Sequence, residues 1–265
     1  MARCLIAFHG NRLYNCEPLA AEHHESRFGR PEGERILGEG ISKEQQNHVK
    51  PHDESAREYD AQSRQYEWHG PEVLFGLAFD FVSAGETLLD MGIGTGLSAL
   101  PFSKAGVSIV GIDASADMLD VCRAKNTAWE LKQHDIRHAP LPCPDGGFDH
   151  VIACGVFHLI EKLDPLVAEA SRVLKEKGTF VFTFEKHRVG ADDGIPVRAG
   201  EVSKRMDEET GAEIFRHSEG YIKRLLGQSG FVVLKTLEFV ASVHPETGRK
   251  VHFKGVVARK EGSGE

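Results

Sequence analysis

The stretch Leu88-Leu89-Asp90-Met91-Gly92-Ile93-Gly94-Thr95-Gly96 decides the fold. A short apolar run that breaks into three alternate glycines reads as a buried strand entering a glycine turn, with a helix after it. Glycine tolerates positive φ and has no side chain to block an approaching group, so such a turn lets a flat, sizeable ligand lie against the backbone. Dinucleotide sites use a similar turn, but their pattern wants its last glycine where this chain has Leu97. Asp90 also stands just before the turn. A carboxylate there is badly placed beside a pyrophosphate and well placed beside a cationic ligand.

Around this stretch, short apolar segments alternate with amphipathic ones, the signature of a mainly parallel sheet with crossover helices. The pattern predicts strands at Thr87–Asp90, Ser108–Ile112, Trp129–Gln133, His150–Cys154 and Thr179–Phe184. Helices are expected between them at Gly96–Lys104, Ala116–Lys125 and Pro165–Lys175. In the last of these, Leu166, Ala170, Val173 and Leu174 share one face, and Gly178 reads as a stop signal. Further on, Ser218 is expected to cap a helix through Leu226. Phe231–Val243 and Lys250–Ala258 read as antiparallel strands joined by a turn over His244–Arg249.

Upstream, Ser55, Tyr59, Gln62 and Tyr66 fall at helical steps behind the possible cap Asp53, which predicts a helix to Trp68; a second is expected over Glu72–Val82. Residues 1–50 read as an extended or mobile arm. Its adjacent His23 and His24 lack the convergent partners of a metal site. A polar stretch over 186–211 interrupts the alternation and is a candidate active-site lid. The organisation expected is therefore an arm over 1–50, one domain over 51–260 and a tail over 261–265.

Composition narrows the classes of partner. The chain has 265 residues, 40% apolar and 27% charged, with a net charge of −8. That suits a folded domain, and the scattered Lys and Arg form no basic block to track a phosphate backbone, so nucleic acid is a disfavoured partner. No apolar run approaches the roughly 20 residues of a membrane span, and the start has no signal-peptide core. Cys4, Cys16, Cys122, Cys143 and Cys154 form no Cys-x-x-Cys pair, so neither disulfides nor metal are indicated and a reducing cytoplasm is expected.

Two later carboxylates fit the same site. Asp113 ends the strand after the loop, where an acidic side chain can accept from both ribose hydroxyls of a nucleoside. Its other open role is as cap of the helix starting near Ala116, which Ser115 would fill equally well. Asp135 closes the next strand, where it is either an acceptor for the exocyclic amine of an adenine or a plain loop carboxylate.

With these residues in view, the run Thr87–Phe182 resembles the class I S-adenosylmethionine (SAM)-dependent methyltransferases of the large UbiE-like superfamily. The segments that carry it are LLDMGIGTG, GIDASADML, QHDI, LPCPDGGFDHVIACGVFHLI and EASRVLKEKGTFVFT. The resemblance implies an α/β, doubly wound, Rossmann-like sheet of seven strands, mostly parallel with an antiparallel C-terminal hairpin. It also implies SAM as cofactor and S-adenosylhomocysteine (SAH) as product. By that analogy Gly92 and Gly94, with Ile93 between them, line the methionine moiety, and Asp90 lies close to its ammonium. Asp113 holds the ribose, Ala114 and Met118 pack beside the adenine, and Asp135 with the Ile136 amide reads the base edge. The backbone near Ala153 and Cys154 completes the ammonium site, while Tyr59 and Tyr66 resemble lid tyrosines.

SAM is intrinsically activated, so a protein of this kind mainly orients and desolvates, and a general base is needed only for a protonated acceptor. His158 is the candidate base, with structural packing as its other role. An isolated buried Cys154 is expected to be inert. Trp68, His69, His187 and Arg188 are candidate borders of the acceptor pocket. The acidic surface and the lid-like insertion favour a small-molecule acceptor. A protein or RNA methyltransferase, a SAM-binding module without catalysis and a dehydrogenase remain the alternatives, and oligomeric state is not legible.

Overall fold

The chain from Thr87 onward runs as strand β1 (Thr87–Met91), then β2 (Ser108–Asp113), β3 (Glu130–Gln133), β4 (Phe148–Ala153) and β5 (Leu174–Glu185), all parallel. Two strands, β6 (Val202–Met206) and β7 (Glu213–His217), form a separate antiparallel pair. The last two, β8 (Phe231–Val243) and β9 (Lys250–Lys260), return to the main sheet, with β9 antiparallel to β5 and β8 to β9. The order across the sheet is β3-β2-β1-β4-β5-β9-β8. This computed structural model describes residues 56–186, 202–207 and 211–262. The expected arm with Cys4, Cys16, His23 and His24, as well as Asp53, Ser55, His187 and Arg188, lie outside the described residues.

The central strands β1, β4 and β5 are buried on both faces, which explains their near-continuous apolar sequences. Leu89, Met91, Val151, Phe180 and Phe182 face one core, while Leu88, Ile109, Ile152, Val181 and Val257 face the other. Helices cover each side: α1 (Tyr59–Gln65), α2 (Gly70–Ala78), α3 (Leu100–Lys104), α4 (Ala116–Ala124), α5 (Asp164–Val173) and α6 (Glu219–Gln228). Ser115 and Ser218 cap α4 and α6, accepting from Met118 N and Tyr221 N at 3.1 Å. No helix among the described residues is long and apolar enough to cross a membrane.

Several element bounds depart from the sequence pattern for local reasons. The helix after the glycine loop starts at Leu100 rather than Gly96, because Gly96 has φ +86° and Pro101 sets the first turn. The first helix stops at Gln65, and Glu67 with φ +50° turns the chain. Leu174 belongs to β5, not to the preceding helix, and pairs with Phe148. Gly178 is therefore no helix stop. It lies in a bulged strand after Lys177 at φ +63°, where a Cβ would come within 2.9 Å of the Asp149 carbonyl. The β6–β7 hairpin occupies part of the polar stretch expected to be a lid.

After β1 the chain moves outward to β2 and β3, then crosses to β4 on the other side of β1. That reversal opens a crevice at the carboxyl ends of β1 and β4, the usual ligand position in such sheets. Asp90, the glycine turn, Ala153 and Cys154 all stand there.

Candidate active site

Asp90 is fully buried. Its Oδ2 accepts a 2.7 Å hydrogen bond from Ser98 Oγ, while Oδ1 is buried with no hydrogen-bond partner. Burial, only partly offset by the Ser98 bond and reinforced by the nearby Asp113 charge, pushes its pKa up to about 7. An orphaned carboxylate oxygen beside an open turn is a waiting partner for a cation.

The glycine turn is built to satisfy itself. Gly92 N and Ile93 N both donate to Ile112 O, at 2.8 and 3.0 Å, and Gly94 N donates to Asp113 Oδ2 at 2.8 Å. These amides are committed, so the turn does not offer the cluster of N–H groups that holds a pyrophosphate. Gly94 has φ +53°, and a Cβ there would meet nothing within 4 Å, so the backbone faces open space. At Gly92, by contrast, a Cβ would lie 2.6 Å from Val156 Cγ2. The Ile93 side chain is 3% exposed and packs onto Gly111, so only its backbone is available to a ligand.

Asp113 is not the helix cap; Ser115 is. Its Oδ1 accepts from Ser115 N at 2.9 Å, and with Oδ2 on Gly94 the carboxylate ties the end of β2 to the turn. Ala114 and Met118 follow directly, with Met118 buried. Asp135 is gripped by Arg137, whose Nη2 lies 2.7 Å from Oδ2 and Nε 3.0 Å from Oδ1. Burial opposes its ionisation, but the Arg137 bonds outweigh that and hold its pKa below the ordinary value. Ile136 beside it packs into the core.

The two tyrosines that resemble lid residues in the sequence separate. Tyr59 as a residue is half-buried, but burial of its hydroxyl pushes the phenol up to about 12, with the nearby Cys154 and Asp113 adding to the shift. Tyr66 instead meets the β8–β9 turn: its ring is 5.6 Å from that of His244, and its carbonyl accepts from Val243 N at 2.8 Å. No residue of α1 is fully buried, and the helix borders a cleft of about 530 Å³. It is fastened by Asp60, which accepts from Thr95 Oγ1 at 2.6 Å and pairs with Lys125; Lys125 Nζ in turn donates to Thr95 O at 2.9 Å.

Beyond β4, burial pushes the Cys154 thiol up, with Asp90 adding to the effect, so it stays protonated and is a poor nucleophile. His158 stands in a short 3-10 turn, its ring 5.2 Å from that of Phe253. Phe253 also meets Trp68 at 5.5 Å. The Trp68 indole lies over Gly70 and Gly155, where a Cβ would come within 2.3 and 2.8 Å of it. His69 lies on the lid side, its N–H on Ala241 O, and lines the 530 Å³ cleft. Thr183 Oγ1 accepts from Gly155 N at 2.9 Å.

Sequence reasoning did not single out Ser98, Thr183, Glu185 or Phe253. The run Thr179-Phe180-Val181-Phe182-Thr183-Phe184-Glu185 held a signal for two of them. Its aromatic members alternate with a second face that turns polar toward the strand end.

Comparisons with known proteins identify the family and the fold. The family described as a methyltransferase domain matches residues 89–182. A demethylmenaquinone methyltransferase of Tropheryma whipplei is 34% identical over 105 residues, which are 38% of this chain and 42% of that protein. The match thus spans less than half the length of that relative. A phosphatidylethanolamine N-methyltransferase of Cereibacter sphaeroides is 32% identical over 184 residues, 63% of this chain and 86% of its own length. Among solved structures, the 1,6-didemethyltoxoflavin-N1-methyltransferase of Burkholderia thailandensis superposes with a TM-score of 0.60 at 14% identity, covering 86% of this chain and 94% of that one.

Proposed function

Because the chain belongs to the class I SAM-dependent methyltransferases, we propose that it transfers a methyl group from SAM to a small-molecule acceptor. The observation that carries the reading is the buried, unpartnered Oδ1 of Asp90 beside the open face of Gly94. A cation there recovers the electrostatic cost of burying the carboxylate, and SAM supplies one in its ammonium and another in its sulfonium.

When bound, SAM supplies a methyl group activated by positive sulfur. The residues of the chain position it. Asp90 holds the ammonium, Gly94 lets the methionine chain lie on the backbone, and Asp113 accepts from the ribose hydroxyls while keeping the turn in shape. Ala114 and Met118 form the apolar seat of the base, with Asp135 and the Ile136 backbone at its edge. Tyr59 closes the site from above and excludes water. His158 is our candidate base for an acceptor that must lose a proton; Cys154, held as a thiol, takes no covalent part. An acceptor of metabolite or lipid-component size is supported by the relatives, a demethylmenaquinone methyltransferase and a phosphatidylethanolamine N-methyltransferase, and by the helix α1 fastened beside the glycine turn.

The test uses purified protein, methyl-labelled SAM and a size-fractionated cell extract, with Asp113→Ala as control. Label in the small-molecule fraction that disappears with the variant is the expected result. Label confined to protein or RNA overturns the acceptor class, and a protein that binds no SAM overturns the reading itself.

A further inference from the structure

The β6–β7 hairpin brings two arginines to the acceptor end of the sheet. It is joined to the end of β5 by a bridge between Lys186 and His217, and His217 Nε2 lies 3.1 Å from Phe157 O, beside His158. Arg205 on β6 and Arg216 on β7 lie on one face of the hairpin, since Ser203, two residues before Arg205, pairs with Arg216. Both reach Glu185, the last residue of β5, whose side chain is only 5% exposed.

The two arginines are used unequally. Arg216 Nε is 2.7 Å from Glu185 Oε1, a normal charge-assisted bond. Among the described residues, Arg205 makes only long contacts, 3.4 Å from Nη2 to Glu185 Oε2 and 3.3 Å from Nη1 to Asp207 Oδ2, and its Nε is buried with no partner there. A guanidinium is always charged and carries five donors. Arg205 is 79% withdrawn from solvent, as its side chain is 21% exposed, and it has recovered little of that cost through bonds inside the chain.

Its position says what it is for. Glu185 lies two residues, about 7 Å, beyond Thr183 on the same face of β5. Thr183 accepts from Gly155 N beside Cys154, and Glu185 pairs across the sheet with Phe253, whose ring meets Trp68 and His158. We propose that Arg205 is the anchor for an oxyanion of the methyl acceptor, a carboxylate or a phosphate, with the rest of the acceptor running along Phe253 and Thr183 toward the methyl group. The oxyanion takes the unpartnered Nε together with Nη2 on the same edge of the guanidinium, displacing the long contact to Glu185 Oε2 and giving the fork a two-point contact. The word acceptor rests on the methyltransferase reading; the anion site itself does not.

The test follows the fluorescence of Trp68 in a Trp129→Phe background, titrating inorganic phosphate, benzoate and neutral benzamide with and without SAH. One anion should bind at least about tenfold more tightly than benzamide, and Arg205→Gln should remove that advantage while leaving SAH affinity unchanged. Arg205→Lys, which keeps the charge without the fork, should fall between them. Preference for phosphate assigns a phosphorylated acceptor, and preference for benzoate a carboxylate. If neither anion exceeds benzamide, or if Arg205→Gln binds the anion as well as the parent, the proposal is wrong. A protein that shows the anion site but binds no SAH keeps this inference and loses the methyltransferase reading.

Discussion

Replacing Asp90 by Asn should separate the stability of the fold from the binding of its cofactor. The carboxyl titrates near 7 in the folded chain against an ordinary 3.8, chiefly because it is buried. The folded state therefore favours the proton, and between those two values stability falls as pH rises, because the unfolded carboxyl ionises first. At about 1.4 kcal/mol per pH unit, the loss is about 2 kcal/mol at pH 5.5 and about 4 kcal/mol at pH 8.5. Asparagine cannot ionise, and the cost of its own buried N–H is the same at both pH values, so it cancels in the comparison. Thermal unfolding of both proteins at pH 5.5 and 8.5 reads the difference. The variant should gain about 2 kcal/mol on the parent between the two, or about 4–8 °C in Tm for a domain of this size. SAH should raise the Tm of the parent at pH 8.5 and leave the variant unmoved. A gap in Tm that does not change with pH refutes the account of Asp90, as does equal stabilisation of both by SAH.

Gly94→Ala puts a methyl group into the open space over the turn at φ +53°, and Gly146→Ala makes the same backbone demand at φ +58° away from the site. Each should lose about 1 kcal/mol in denaturant unfolding, but only the first should weaken SAH, by more than about tenfold in calorimetric titration. Asp60→Ala releases α1 from Thr95 and Lys125. Fold stability should change by no more than about 1 kcal/mol, whereas stopped-flow dissociation of SAH should accelerate about tenfold; an unchanged off-rate would show that the helix is not a lid.

The parallel sheet was legible because its central strands carry apolar side chains to both faces, as in Leu88-Leu89 and Val151-Ile152, and because β1, β2 and β4 are each followed by a helix of contrasting period. Bounds failed where one residue decided between two patterns. Leu174 satisfies the apolar face of α5 and also the pairing of β5 with Phe148, and only the sheet resolves which holds. At the site, Asp90, Asp113 and the glycines were visible because their order along the chain is their order in space. Long-range partners were not. Ser98 reaches Asp90 through the bend of the turn, and Glu185 meets Arg205 and Arg216 only because an intervening hairpin folds back on β5. The first helix was half legible: the period placed Tyr59 and Tyr66 on it, but it ends at Gln65, Glu67 turns the chain, and Tyr66 meets His244.

The most direct test of the central claim is equilibrium titration of the purified chain at pH 8 with SAM, SAH and NADH in parallel. The carboxylates of Asp90 and Asp113 and the self-satisfied amides of the glycine turn predict binding of SAM and SAH, one molecule to each chain, lost in Asp113→Ala, and no binding of NADH. Saturable binding of NADH, or SAM affinity indifferent to Asp113, would contradict it.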